Sequence, residues 1–216
     1  MNQTFLAMAA LAAYLLGSIP SAVWIGKWFF NIDVRAHGSG NAGASNTLRI
    51  LGKKAGITVL FLDFLKGLAA SSLVLLQPDI LDTDASYKSY QMLFGVLAVI
   101  GHVFPIFAGF KGGKGIATLL GMTVGISGPV SLLCAITFVI VVWISKYISL
   151  GSMIGTLLSP LFVIMVYGPN EPIFMYFCAA LALMVIYTHR SNVQRLRAGT
   201  ESKFAFNKKP EIENAK

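Results

Sequence analysis

The sequence predicts an all-α fold: a polytopic bundle of seven transmembrane helices, with the N-terminus outside and the C-terminus cytoplasmic. Three observations carry this. Of the 216 residues, 56% are hydrophobic and only 12% charged, with a mean hydropathy of +0.71, too few charges to cover a soluble domain of this size. Apolar runs recur along the whole chain at the length needed to cross about 30 Å of hydrocarbon. The basic residues, finally, are distributed one-sidedly between those runs.

Seven spans are expected: Thr4–Phe29, Ala55–Gln77, Tyr90–Phe110, Ile116–Ser127, Pro129–Ser145, Ile148–Tyr167 and Pro172–Tyr187. Helix is assigned throughout, since it alone satisfies its own backbone in lipid without closing a barrel. No Lys or Arg precedes the first run, so it reads as a retained span rather than a signal peptide. Its Gly17-Ser18-Ile19-Pro20-Ser21 stretch suggests a break or close helix packing. The fourth span is short and only Gly128-Pro129 separates it from the fifth, which leaves a six-span count open.

With seven spans, fifteen of the 17 Lys and Arg residues fall on the side of Lys27 and the C-terminal segment. Lys88 falls opposite, in a loop that also carries Asp79, Asp82 and Asp84, and Lys66 lies inside a span. The basic side is therefore expected to be cytoplasmic, which accounts for much of the net charge of +8 without a nucleic-acid partner. Residues 1–201 read as one transmembrane domain, and 202–216 as a loosely ordered polar tail. Cys134 and Cys178 sit in mid-run and read as buried small hydrophobes.

The chemistry concentrates on the basic side. In the first loop Gly38, Gly40 and Gly43 satisfy G-x-G-x-x-G, but a dinucleotide site needs a preceding strand and here a transmembrane helix precedes. What survives is a glycine-rich cradle whose backbone N–H groups can converge on an anion. Ser39, Asn41, Ser45 and Asn46 add neutral donors, and Arg49 adds a fork suited to phosphate. The second loop, Lys111-Gly112-Gly113-Lys114-Gly115, fails the P-loop pattern: Ala108 stands where the first Gly belongs, and Gly115 follows the lysine. Lys114 at the start of a short helix still makes a phosphate site through charge and helix dipole. The third element runs from Thr188 to Glu201; in a helix, His189 and Asn192 are i,i+3 neighbours where the last span exits. Inside the bilayer, Asp63 and Lys66 can pair with each other, and both pairing and a functional role stay open for them and for His102.

Five ordered motifs, GSIPSAVWIGK, GSGNAGASNTLR, DFLKG, GHVFPIFAGFKGGKGIAT and HRSNVQRLRAGTE, together resemble the bacterial glycerol-3-phosphate acyltransferases of the PlsY type. One departure is Ser45, where that family usually has Thr; the hydroxyl is kept. The resemblance implies a multi-pass protein of the bacterial cell (inner) membrane with its active site on the cytoplasmic face. It implies transfer of a fatty acyl group from acyl phosphate to the 1-hydroxyl of glycerol 3-phosphate, giving lysophosphatidic acid and phosphate. Ser39, Arg49 and Lys114 would hold the phosphate of glycerol 3-phosphate, and His189 and Asn192 would position its glycerol part. The loop glycines, Gly40, Gly43, Gly112, Gly113 and Gly115, with Asn41 to Asn46, would cradle the phosphoryl group of the donor. Membrane lipid and the enzyme that makes acyl phosphate are the expected further partners. No cofactor is expected, and His37, His102 and His189 show no zinc-type ligand spacing.

Without a Ser–His–Asp or Cys–His arrangement, direct attack by the substrate hydroxyl is favoured over an acyl-enzyme. Whether His189 or the bound phosphate takes the proton is open, the resemblance favouring the phosphate. The competing reading is a membrane carrier for a phosphorylated metabolite. It fits less well, because the polar residues gather on one membrane face rather than along a midplane path.

Overall fold

A computed structural model describes residues 3–77, 84–204 and 210. The chain folds as two compact units that divide between Ile126 and Ser127. Residues 78–83 of the expected acidic loop and most of the expected tail lie outside the described residues, while the rest of that loop, from Asp84, is helical.

In the first unit, α1 (Gln3–Ser18) and α2 (Ser21–Phe30) form the N-terminal span, bent by 43° at Ile19-Pro20. Pro20 lacks an N–H and its ring displaces the preceding turn, so the helix restarts there. The same stretch packs closely: a Cβ on Gly17 would collide with the Ala98 carbonyl, and one on Gly101 with Tyr14 O. Close backbone approach of this kind is how helices associate in lipid. A short α3 (Ala44–Leu51) leads into α4 (Lys53–Ser71), with α5 (Asp84–Val103) and α6 (Ile116–Ile126) packed on it. Gly67 meets the Thr118 carbonyl and Gly121 the Phe64 carbonyl, which brings α4 and α6 into backbone contact. Ala9, Ala13, Ala70, Val74, Phe94 and Ala98 make one apolar core, and Ala22, Val34, Ile50, Ala55 and Val59 belong to a second under the first loop.

The second unit holds α7 (Gly128–Ser145), α8 (Ile148–Leu157), α9 (Ser159–Tyr167), α10 (Pro172–Thr188) and α11 (Arg190–Arg197). Ser127 starts α7 by accepting the Val130 N–H at 3.3 Å, with Pro129 in the first turn. The expected sixth span is not straight: Pro160 bends it by 42° between α8 and α9. At His189 the chain turns by 60° from apolar α10 into polar α11.

Among the described residues, three helices are long and apolar enough to cross a membrane: Lys53–Leu76, Ser86–Ala108 and Gly128–Ser145. Counting each bent pair as one span gives up to six. The remaining expected span, α6, has 11 residues, about 16 Å of rise, and falls short of a bilayer core. Only 17% of the most apolar window of α7 is buried, so Leu132, Val139, Trp143 and Ile144 face outward, as lipid-facing side chains do.

Candidate functional site

The first loop is closed by its own side chains. Asn46, buried at the first turn of α3, accepts from Ser39 N–H at 2.9 Å and from Ser39 Oγ at 3.1 Å. Its Nδ2 donates to Val34 O at 2.9 Å and to His37 O at 3.1 Å. Both amide protons of Asn46 are thereby spent, so its geometry suits shaping the loop rather than donating to a phosphoryl group. Gly38 and Gly40 sit at φ +58° and +72°, the left-handed region that glycine adopts without penalty. A Cβ on Gly38 would also reach Asn46 Oδ1 at 2.6 Å.

Gly43 caps α3, and the first-turn N–H groups of Ala44, Ser45 and Asn46 have no intrahelical acceptor. That makes the start of α3 an anion-binding end. Ser45 and Arg49 follow at i,i+4 on one helical face. Ser39, Gly40 and Ser45 are exposed, and Asn41, Gly43 and Arg49 are half-buried.

The second loop lies against α5. Gly112 and Gly113 donate their N–H groups to Val103 O and His102 O, each at 3.2 Å. A Cβ on Gly112 would strike the His102 carbonyl, and one on Gly113 the His102 ring. These two glycines are therefore accounted for by close packing, and their N–H groups face α5 rather than a ligand. Gly115, at φ +80°, turns the chain into α6, with Lys114 half-buried before it.

The two loops meet. A Cβ on Gly113 would lie 3.1 Å from Ala42 O. Arg35 donates Nη1 to Ala108 O at 2.8 Å and to Lys111 O at 3.2 Å, and grips Asp33 through Nε at 3.0 Å and Nη2 at 2.7 Å. The Arg35 guanidinium holds the Asp33 carboxyl down at about 2.

Beside the loops, an apolar cavity of about 290 Å³ opens between α2 and α4, lined by Ile19, Trp24, Ile25, Trp28, Leu62, Leu65 and Ala69, with Ser21 and Lys66 at its polar margin. A much smaller void, of about 10 Å³, shares Ile19, Ser21 and Lys66 with it and reaches Ala42, Gly112 and Gly113.

In the second unit, His189 caps the start of α11 and Asn192 follows three residues on, both buried. His189 Nδ1 lies 2.9 Å from Val185 O, and because a carbonyl only accepts, Nδ1–H is the donor there. Asn192 Nδ2 donates to Glu201 Oε1 at 2.6 Å. Ser149 Oγ donates to the same oxygen at 2.6 Å, and Arg195 Nε to Oε2 at 2.7 Å. Burial pushes the Glu201 carboxyl up, but the hydrogen bonds from Ser149, Asn192 and Arg195 outweigh it and hold it below the usual range.

Asp33, Arg35 and Glu201 were not among the expected site residues. A signal for them existed: Asp33 is the only acid between Lys27 and Lys54, and Glu201 the only one in the basic stretch from Arg190 to Lys203. A lone carboxylate among cations is a candidate for a fixed partner.

Apolar helices with large hydrophobic side chains turned outward define an integral membrane protein of the helical type. The chain belongs to the glycerol-3-phosphate acyltransferase family, whose model matches residues 7–199. It is 45% identical to the glycerol-3-phosphate acyltransferase of Enterococcus faecalis over 203 residues, 91% of this chain and 90% of that one. It is 38% identical to the enzyme of the same name from Chlorobium luteolum over 233 residues, covering 95% and 98%. Two solved structures of PlsY, an integral membrane glycerol 3-phosphate acyltransferase, superpose on it. The glycerol 3-phosphate form gives a TM-score of 0.80 at 37% identity, over 93% of this chain and 96% of that one. The lysophosphatidic acid form gives 0.77 at 36% identity, with the same coverage.

Proposed function

We propose that this protein transfers a fatty acyl group from acyl phosphate to the 1-hydroxyl of glycerol 3-phosphate, giving lysophosphatidic acid and inorganic phosphate. The observation that carries the reading lies in the first unit. There, two basic loops, joined by Arg35, adjoin an apolar cavity, so phosphate-binding and hydrocarbon-binding surfaces stand side by side. The family supports the acceptor, and the resemblance of the five motifs to the PlsY type supports acyl phosphate as the donor. A mixed anhydride is already activated, so orientation and charge stabilisation suffice without an enzyme nucleophile.

In this reading Ser39, Arg49 and Lys114 hold the phosphate of glycerol 3-phosphate, and the start of α3 takes the phosphoryl group of the donor. Its acyl chain lies in the α2–α4 cavity. His189 and Asn192 orient the 1-hydroxyl so that its proton points at the bound phosphate. The hydroxyl oxygen attacks the acyl carbonyl carbon, the carbon–oxygen bond to phosphate breaks, and phosphate leaves. The proton passes to the bound phosphate of glycerol 3-phosphate. The one-sided basic loops support seven spans with an outside N-terminus and an active site on the cytoplasmic face, and the family resemblance supports the bacterial inner membrane. A separate enzyme that makes acyl phosphate would supply the donor there.

The test is lysophosphatidic acid formation by purified protein from acyl phosphate and glycerol 3-phosphate. Arg49→Ala and Lys114→Ala each delete a charge-assisted contact and are expected to lower kcat/KM by about 10- to 150-fold. Wild-type activity with another acyl donor but none with acyl phosphate would reject the donor; near-wild-type kinetics in both variants would reject the phosphate roles.

A further inference from the structure

Asp63 and Lys66 face each other one turn apart on α4, both almost fully buried, with Nζ 2.9 Å from Asp63 Oδ1. Such a pair seldom repays its desolvation, and well-packed apolar residues in its place are often as stable. Stability alone therefore does not account for it, and its other partners show a second use.

Lys66 Nζ also donates to Ile19 O at 2.8 Å, the last carbonyl before the Pro20 break. Ser21 Oγ, the first residue after the break, donates to Asp63 Oδ1 at 3.0 Å. The pair thus clamps both sides of the interruption in the first span. On its other flank His102 Nδ1 stands 3.7 Å from Asp63 Oδ1 and 3.2 Å from Thr118 Oγ1 on α6. His102 is where the Gly113 N–H docks, through its carbonyl at 3.2 Å, and its ring fills the space that a Cβ on Gly113 would need. The small void lined by Asp63, Lys66, His102, Gly112 and Gly113 lies between them. One buried polar cluster therefore links the break in the first span to the segment that carries Lys114.

Resting on the function proposed above, we infer that Asp63 and Lys66 are positioning residues, which set the Gly112–Lys114 segment through His102 and so place the Lys114 ammonium on the phosphate of glycerol 3-phosphate. The cluster acts through Lys114 and touches no substrate itself.

The experiment is a mutant cycle in purified protein. Removing one charge strands the other, so the informative variant is the paired near-isosteric change Asp63→Asn with Lys66→Met. It is expected to keep a thermal midpoint near wild type while KM for glycerol 3-phosphate rises and kcat/KM falls about tenfold or more. In a Lys114→Ala background the same pair should cost nothing further, whereas in a Ser39→Ala background its full cost should persist. The stabilisation of the protein by glycerol 3-phosphate alone should weaken in parallel, which reads binding without chemistry. Near-wild-type kinetics, or a full multiplicative loss on top of Lys114→Ala, would overturn the inference. Should the paired variant fail to fold, Thr118→Val decides: it deletes the hydroxyl against His102, and its loss must likewise vanish with Lys114→Ala. A wild-type protein that forms no lysophosphatidic acid at all would instead reject the functional reading.

Discussion

Arg35 and Asp33 form a two-bond fork, Nε to Oδ1 at 3.0 Å and Nη2 to Oδ2 at 2.7 Å, and this fork aims the remaining guanidinium N–H at the backbone of the second loop. A lysine offers one point charge in place of that planar pattern. Arg35→Lys is therefore expected to keep the protein folded and inserted while kcat/KM falls about tenfold or more, the effect of losing the link between the loops. Steady-state kinetics beside a thermal melt in detergent checks it; unchanged kinetics would reduce the fork to a local ornament of the turn.

The same fork fixes a pH dependence. The Asp33 carboxyl is lowered from 3.8 to about 2, so its stabilising contribution is complete above pH 3.8 and is lost as pH falls toward 2. Wild-type melting temperature should drop across that interval by more than that of Asp33→Asn, which has no carboxyl to titrate. Parallel pH profiles of the two proteins would exclude the fork as the source.

The α2–α4 cavity predicts a chain-length effect. Ala69 lines it, and Ala69→Phe would fill part of the volume given to the acyl chain. Relative kcat/KM should shift toward shorter acyl phosphates by about tenfold or more, since one methylene in an apolar pocket is worth about 1–3 kcal/mol. An unchanged profile over a series of chain lengths would move the acyl chain elsewhere.

His189 distinguishes orientation from proton transfer. Nδ1–H is turned to Val185 O, so in the neutral ring Nε2 is the acceptor. Glutamine also offers an acceptor oxygen but is no base near neutrality. If the ring only orients, His189→Gln should retain far more activity than His189→Ala, without a new acidic limb in its pH–rate profile. Equal, near-complete losses in both would make His189 the base.

Topology is tested with cysteines in a background lacking Cys134 and Cys178. Ser86→Cys and Ser202→Cys, both exposed, should label from opposite faces of the membrane. Labelling from one face would exclude an odd number of spans.

Most of the helices were legible because bilayer thickness imposes a length on every apolar run, whatever its neighbours. The breaks were less so. Pro20 was visible beside its small residues, whereas Pro160 hid inside an apolar run and bent it all the same. In the loops, residue type marked candidate segments but not which of their groups the fold itself uses. Asn46 and Gly113 read as phosphate donors, yet Asn46 spends its amide on Val34 and His37, and Gly113 is required by the His102 ring. Partnerships 76 residues apart, such as Arg35 with Lys111, leave no local pattern to read.

The closed first loop carries a thermodynamic consequence. With Asn46 bonding Ser39, Val34 and His37 at once, the loop owes its shape to the chain itself. A ligand that meets a preformed loop escapes the entropic charge of ordering it, which for each immobilised polar side chain is about 0.5–1.5 kcal/mol. Binding there should consequently be governed by enthalpy and salt, with the association rate limited by encounter rather than by folding of the loop around its guest.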